Sequence, residues 1–218
     1  MIESKPHQLN GLAIQHEHTS FRLTDDEMRW LTDNEYYRLP VNAESNILTK
    51  TSFLLKDKRL SRVKQFFDER MNNYIENVVE IKNKFVMTQS WSTITKKGES
   101  HHAHNHPNSM FSLVFYVSSE GEKSGNFVLN LGLSRLEERW AFMYEVKNYN
   151  PFNSRVWEYE VNTGDLIIFP AWMYHYTREN VTNKDRIVIG ANYFVDGVIG
   201  STRGVDKIGI KVGDLEDD

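Results

Sequence analysis

The spacing of apolar residues predicts two helices in the first third of the chain. Thr24 is followed three residues later by Glu27, which is the pattern of a capping box, and it predicts a short helix over 25–33. Over 58–81, apolar residues recur every three or four positions and form one stripe along a longer helix. The stripe consists of Leu60, Val63, Phe67, Met71, Tyr74, Ile75 and Val78. We interpret it as the face that packs against a sheet.

After Lys84 the pattern changes to short runs rich in apolar, β-branched and aromatic residues, which are typical of strands. These runs cover 85–94, 111–117, 127–131, 155–161, 166–169 and 187–194, with turn-forming residues between them. Short strands behind N-terminal helices predict a mainly β fold of the jelly-roll type. We expect one domain, with a helical N-terminal support over 1–84, a β core over 85–196 and a C-terminal tail over 197–218. The acidic end of that tail, from Gly213 onward, is expected to be frayed.

Composition narrows the possible chemistry. The 218 residues include no cysteine, which excludes disulfides, thiolate metal sites and thiol nucleophiles. This suits a reducing compartment, so we expect a cytoplasmic protein. The first residues have no apolar signal region, and no apolar run is long enough to span a membrane. The net charge of −4 argues against a general nucleic-acid-binding surface.

Four of the eight histidines fall within six residues, at His101, His102, His104 and His106. In an extended strand, residues two apart share a side, so His102, His104 and His106 would face one way and His101 the other. Two such imidazoles can chelate one metal ion, but a third ligand must come from elsewhere in the chain. The alternative interpretation is a polar loop whose histidines are incidental. Because four histidines precede an apolar strand, we favour a metal site.

His175 is the one histidine that follows this cluster in the sequence, and it comes after the apolar segment 164–174. Alone it could be a core histidine, but as a partner of the cluster it is the best third ligand. Arg186 heads the next apolar strand. If its side chain points into a barrel, the guanidinium needs an anionic partner. The alternative is an exposed arginine at the turn after Asp185.

These motifs together resemble a known family. The resemblance is carried by His-x-His-Pro with the apolar strand after it (104–117), by the segment Gly-Asp-Leu-Ile-Ile-Phe-Pro-Ala-Trp-x-x-His (164–175), and by Arg186 and Asn192. Together they are similar to the 2-oxoglutarate/Fe(II)-dependent oxygenases of the prolyl-hydroxylase-like, bacterial and phage type. The resemblance covers roughly 85–195. It implies a double-stranded β-helix, a cupin-like jelly roll, with Fe(II) and 2-oxoglutarate as cofactors.

By motif position, the resemblance implies that His104, His106 and His175 are the metal ligands and so the catalytic residues. It implies that Arg186 holds the distal carboxylate of 2-oxoglutarate, for which a planar guanidinium is suited. The usual second ligand of the family is a carboxylate, whereas this chain has His106 there. The pair His102 and His104 is therefore a competing assignment.

A second departure is Val188, where relatives often carry a hydroxyl residue that assists the arginine. We expect Tyr116, on a neighbouring strand, to supply that hydroxyl and to help bind the cofactor. Trp91 and Gln89, on the strand before the cluster, are candidate substrate-binding residues, although core packing is the simpler interpretation. The long insert over 133–151 is a candidate lid or substrate loop, with a surface excursion as the alternative.

The predicted activity is hydroxylation of an unactivated C–H bond of a small molecule or a protein side chain by molecular oxygen, with release of succinate and CO2. Two alternatives stay open. One is a cupin-like three-histidine metalloenzyme that uses no oxoglutarate, and the other is a non-enzymatic jelly-roll binding module. The sequence indicates neither the substrate nor the oligomeric state.

Overall fold

The computed structural model describes residues 12–38, 45–131, 145–150, 153–200, 206–214 and 216–217. Over these residues the fold is mainly β with two α-helices, as the sequence predicts. The helices are α1 (Asp25–Thr32) and α2 (Ser61–Asn77), and short 3-10 helices cover Leu54–Lys56, Lys58–Leu60 and Gly121–Ser124. The strands are β1 (Gln15–His18), β2 (Tyr36–Arg38), β3 (Ile47–Thr49), β4 (Lys84–Thr95), β5 (Phe111–Ser118), β6 (Phe127–Asn130), β7 (Val156–Tyr159), β8 (Asp165–Pro170), β9 (His175–Thr177), β10 (Arg186–Ile199) and β11 (Ile208–Ile210).

The strands form two sheets. The major sheet has the order β1-β8-β5-β10-β4-β3-β2, with β11 added to the far end of β10, and the minor sheet has the order β7-β6-β9. All strand pairs within them are antiparallel. β10 is the longest strand and lies at the centre, between β5 and β4.

The two faces of the major sheet belong to two separate apolar cores. Alternate residues of β5 and β8, such as Phe115 and Ile168, pack with both helices. The residues between them, such as Val114 and Ile167, pack with Phe127 of the minor sheet. The molecule therefore has a helical layer, the major sheet and the minor sheet, and the inner strands are buried on both sides.

Both predicted helices are present, but the longer one is shorter than predicted at both ends, because Lys58–Leu60 is a 3-10 helix and α2 begins at Ser61. The side chain of Thr24 accepts a hydrogen bond from the Glu27 amide, and the Glu27 carboxylate accepts one from the Thr24 amide, so the capping box is formed. The longer helix ends at Asn77, four residues before the predicted end. Three residues later Glu80 adopts a positive φ of 52°, a conformation that prevents the helix from continuing over its predicted length.

Two predictions about the ends of the chain need correction. The segment 1–84 is not only a helical support, because β1, β2 and β3 join the major sheet. These strands are three or four residues long, which is too short to show an alternation of apolar and polar residues. The segment 197–218 is not a free tail, since β11 pairs with β10. Among the described residues beyond Gly213, Asp214 forms an exposed ion pair with Lys56 at 2.5 Å, and the carboxylate of Asp217 accepts a hydrogen bond from the Ser52 amide.

None of the helices in the described ranges is long and apolar enough to cross a membrane. The insert proposed as a lid, 133–151, lies outside the described residues except for 145–150, which are largely exposed.

Candidate metal centre

Hydrogen bonds of the main chain bring the histidine cluster against β9. His104 and His175 face each other in an antiparallel bridge, in which each amide donates to the other's carbonyl at 3.0 and 2.9 Å. The His106 amide donates to the Ala171 carbonyl at 2.9 Å. These bonds connect a loop to residues about seventy positions later, and they place the three side chains at one end of the space between the sheets.

His104, His106 and His175 each offer one ring nitrogen, and these three atoms lie within 4.8 Å of one another. The Nδ1 atoms of His104 and His175 lie 2.8 and 3.0 Å from the carbonyls two residues before them. A carbonyl only accepts, so each Nδ1 carries the proton and each Nε2 keeps a free lone pair. The Nε2 of His106 is buried and has no hydrogen-bond partner. The donor set therefore fits a divalent transition metal.

The environment keeps these imidazoles neutral, which is the form that binds metals. Burial lowers the pKa of His106 to about 3, and His104 adds to the effect. Burial lowers the pKa of His104 to about 4, although its hydrogen bond to the His102 carbonyl opposes the shift. For His175, burial and the neighbouring histidines hold the pKa well below its usual value.

His101 and His102 differ from the strand prediction. The segment is an irregular loop rather than a strand, so the alternation of sides does not apply. His101 does not point away: it lines the pocket, and its ring stacks on His104 with centroids 4.4 Å apart. His102 lies outside the group of three close nitrogens, and its carbonyl accepts from His104.

Arg186 is buried, with 1% of its surface exposed, and is not the surface arginine of the alternative interpretation. Its Nη1 donates to the carbonyls of Ser124, Gly125 and Arg178, and its Nη2 donates to the Thr177 hydroxyl. Its Nε is buried without a partner. No carboxylate in the described parts of the chain lies within ion-pair distance of this guanidinium. A buried positive charge without a counter-ion favours the binding of an anion.

One pocket joins the metal-ligand candidates to Arg186. It encloses about 460 Å³ of space, a figure that includes its open mouth. Strands β4, β5, β6, β9 and β10 and the histidine loop contribute its lining, which is Trp91, Thr93, Thr95, His101, His104, His106, Val114, Tyr116, Phe127, His175, Tyr176, Thr177, Arg186, Val188 and Gly190.

The other predicted residues take different places around this pocket. Tyr116 lines it, but no hydrogen bond joins Tyr116 to Arg186 among the described contacts. Burial raises the pKa of Tyr116, so its hydroxyl stays protonated. Trp91 lines the pocket with its ring 5.1 Å from that of His106. Gln89 is outside the described lining, and its side-chain oxygen accepts from Asn192 at 3.3 Å.

Sequence reasoning missed Thr177, whose hydroxyl contacts both Arg186 and the His101 amide. A signal was available, because Thr177 lies two residues after His175 and therefore on the same side of β9. Thr93 and Thr95 were also missed, two and four residues after Trp91 on the same side of β4.

Comparison with known proteins gives a family match over the centre of the chain. The family model described as "Putative 2OG-Fe(II) oxygenase" matches residues 89–192. No curated protein matches the chain.

Solved structures of similar fold cover most of the chain. HygX from Streptomyces hygroscopicus, with nickel, 2-oxoglutarate and hygromycin B bound, is 15% identical with a TM-score of 0.58, over 84% of this chain and 82% of that one. The non-heme alpha ketoglutarate dependent carbocyclase SnoK from nogalamycin biosynthesis is 12% identical with a TM-score of 0.57, over 89% and 84%. An oxidoreductase of the 2OG-Fe(II) oxygenase family from Burkholderia pseudomallei is 12% identical with a TM-score of 0.53, over 76% and 74%.

At these identities the solved structures establish a common fold, and the family model adds the sequence motifs of residues 89–192. The resemblance of this chain to the 2-oxoglutarate/Fe(II)-dependent oxygenases is thereby confirmed.

Proposed function

We propose that this protein is an Fe(II)- and 2-oxoglutarate-dependent oxygenase that hydroxylates an unactivated C–H bond with release of succinate and CO2. The observation that carries the proposal is the pairing of two features in one pocket: three close imidazole nitrogens and a buried arginine without a described carboxylate partner. We further propose that the two sheets form a double-stranded β-helix, with residues 85–196 as the catalytic core of a single cytoplasmic domain.

In this proposal, His104, His106 and His175 hold the metal through their unprotonated nitrogens, and Arg186 binds the distal carboxylate of 2-oxoglutarate. When bound, the metal and the oxo acid together supply oxygen activation. The residues of the chain position these groups and exclude water. The guanidinium is fixed by the carbonyls of Ser124 and Gly125 and by the Thr177 hydroxyl. Little conformational entropy is therefore lost when the oxo acid binds to it.

Gly190 keeps the pocket open where β10 passes behind it. A Cβ at this position would lie 2.7 Å from atoms of the Trp91 indole. The absence of a side chain therefore lets Trp91 lie flat over β10 as one wall of the pocket. We propose that Trp91, with Gln89 farther along β4, contacts a small-molecule or protein side-chain substrate.

The test is an anaerobic titration of the metal-free protein with Fe(II) and then with 2-oxoglutarate, read by the visible charge-transfer absorption of the chelate. The wild type is expected to develop the absorption, and Arg186→Ala is expected to lose it at moderate oxoglutarate concentrations while still binding iron. Arg178→Ala is a matched control, because Arg178 is a neighbouring arginine that pairs with Glu158 on the surface. It is expected to behave as wild type.

One observation favours a second candidate. The three-histidine donor set contains no carboxylate, which also suits a cupin-like metalloenzyme that uses no oxo acid. In that case iron binds, oxoglutarate produces no absorption, and Arg186→Ala leaves metal-dependent activity intact. A protein that binds no iron would overturn both candidates and favour a binding module.

A further inference from the structure

A second group of metal-ligand side chains lies at the edge of the major sheet. His16 and His18 of β1 and Asp165 of β8 offer three atoms that lie within 4.8 Å of one another. In the sheet, His18 is opposite Asp165 and His16 is opposite Ile167. Because residues two apart on a strand share a face, both imidazoles lie on the side of the sheet to which Asp165 points.

The contacts within this group are close. His18 Nδ1 lies 2.8 Å from one carboxylate oxygen of Asp165, and His16 Nε2 lies 3.4 Å from the other. The two imidazole rings have centroids 4.7 Å apart. His16 Nε2 is buried and makes no hydrogen bond, although it lies close to the Asp165 carboxylate.

The carboxylate of Asp165 is buried, with 4% of its side chain exposed, and is fixed by the Asn162 amide, which donates to it at 2.7 Å. Its described ion-pair partners are the two histidines, with no lysine or arginine among them. A buried carboxylate requires a positive partner. A divalent cation bound here would supply this charge and would also engage the buried Nε2 of His16, which makes no hydrogen bond.

We propose that His16, His18 and Asp165 bind a second divalent metal, of the Zn²⁺ class, that fastens β1 to β8. Two imidazole nitrogens and one carboxylate oxygen are ligands that suit Zn²⁺, with a water in the fourth position. The side chain of His18 is 72% exposed, which gives the ion a path from solvent. The Tyr159 ring packs edge-on against His16 and holds that imidazole in place.

This site is separate from the pocket of the candidate metal centre. None of its three residues lines that pocket among the residues described there. Its role is structural, because the ion would join β1 to a strand that begins 147 residues after His18. The inference therefore does not depend on the proposed function.

The test is zinc stoichiometry of the full-length, metal-free protein, measured by competition with a chromophoric chelator. The wild type is expected to bind two equivalents of zinc. His18→Ala and His104→Ala are each expected to bind one equivalent, because each variant has lost a different site. The double variant is expected to bind none. Gln15→Ala, in the same strand, is the control and should bind two. His18 is exposed, so its removal should leave the fold intact, which circular dichroism checks.

A second measurement keeps the test independent of the first site. At zinc concentrations about 100 times the dissociation constant, each occupied site should raise the melting temperature by roughly 5–10 °C. The part of this rise that belongs to the edge site should persist in His104→Ala and be lost in His18→Ala and Asp165→Asn. Equal stoichiometry in wild type and His18→Ala would overturn the proposal. Loss of zinc only in His18→Ala, with His104→Ala unchanged, would support it and contradict the first metal site instead.

Discussion

The guanidinium of Arg186 donates its hydrogen bonds to groups that the fold holds in place. Its Nη1 donates to three main-chain carbonyls, and its Nη2 donates to the Thr177 hydroxyl, which also accepts from the His101 amide. Thr177 therefore couples the arginine to the histidine loop. Its contribution is one of positioning, because it orients the group that would contact the oxo acid.

Thr177→Val should weaken the binding of 2-oxoglutarate about tenfold, because it leaves a buried donor of Arg186 without a partner. Valine matches threonine in shape but lacks its hydroxyl. The described partners of that hydroxyl are Arg186 and the His101 amide, and none of the three metal-ligand candidates is among them, so the metal affinity should change less than the oxoglutarate affinity. Oxoglutarate binding to the iron-loaded protein measures the first quantity, and iron binding alone measures the second. Thr32→Val, at the exposed end of α1, is the control. An unchanged oxoglutarate affinity would contradict the positioning role.

Gly190 and Trp91 are cross-strand partners, and their contact predicts a coupled pair. Gly190→Ala should destabilise the protein by about 1–3 kcal/mol, since the new Cβ overlaps the indole. Combining it with Trp91→Ala should recover part of that loss, so the double-variant cycle should be non-additive. Urea unfolding measures all four states. Gly209→Ala, where the added Cβ has no neighbour within 4 Å, is the control. Additive effects would show that the strands separate to admit the methyl group.

At the scale of elements, α1 is attached to α2 through one carboxylate. Glu27 completes the capping box with Thr24 and also accepts two hydrogen bonds from Arg62, one of them from Nε at 3.0 Å. Burial alone would raise the pKa of Glu27, but the hydrogen bonds from Arg62 and Thr24 outweigh it, and the pKa lies below its usual value of 4.5.

A lowered pKa in the folded state means that this pair stabilises the protein above pH 4.5 and that the stabilisation is lost as the pH falls through the folded-state pKa. Glu27→Gln should therefore cost about 1–3 kcal/mol near pH 7. The difference from wild type should shrink as the solution becomes acidic. Denaturant unfolding between pH 7 and pH 3 measures this. Asp26→Asn, an exposed neighbour, should show little effect at any pH. A pH-independent difference would exclude the charge as the cause.

The elements that sequence patterns predict well are those buried on two faces. β5 and β8 are continuous apolar runs because helices cover one side and the minor sheet covers the other. β1, with the sequence Gln-His-Glu-His, was missed because main-chain pairing with a distant strand defines it. The same reason explains which residues of the site the sequence could reveal. His104, His106, His175 and Arg186 stand out by residue type, whereas Thr177 and His101 gain their positions from pairing between β9 and the loop.

At the scale of the whole molecule, the major sheet separates the helical core from the pocket. Phe67 of α2 is buried against Phe115 on the helical side, with centroids 6.2 Å apart. Phe67→Ala should destabilise the protein by about 3–5 kcal/mol and leave the iron affinity of the folded protein unchanged. Phe127→Ala, on the pocket side, should lower both the stability of the protein and its iron affinity. Thermal unfolding and iron titration below the melting range distinguish them, and a weaker iron affinity in Phe67→Ala would contradict the separation.

The pairing of β1 with β8 also has a consequence for how the chain folds. β1 is synthesised well before its partner in the sheet, which begins 147 residues after His18. Such a contact closes late, because the entropy of a long loop opposes it. Until β1 arrives, the apolar strand β8 has an open edge that another chain could extend. We therefore expect newly made protein to be most prone to aggregation after β8 has formed and before β1 has docked.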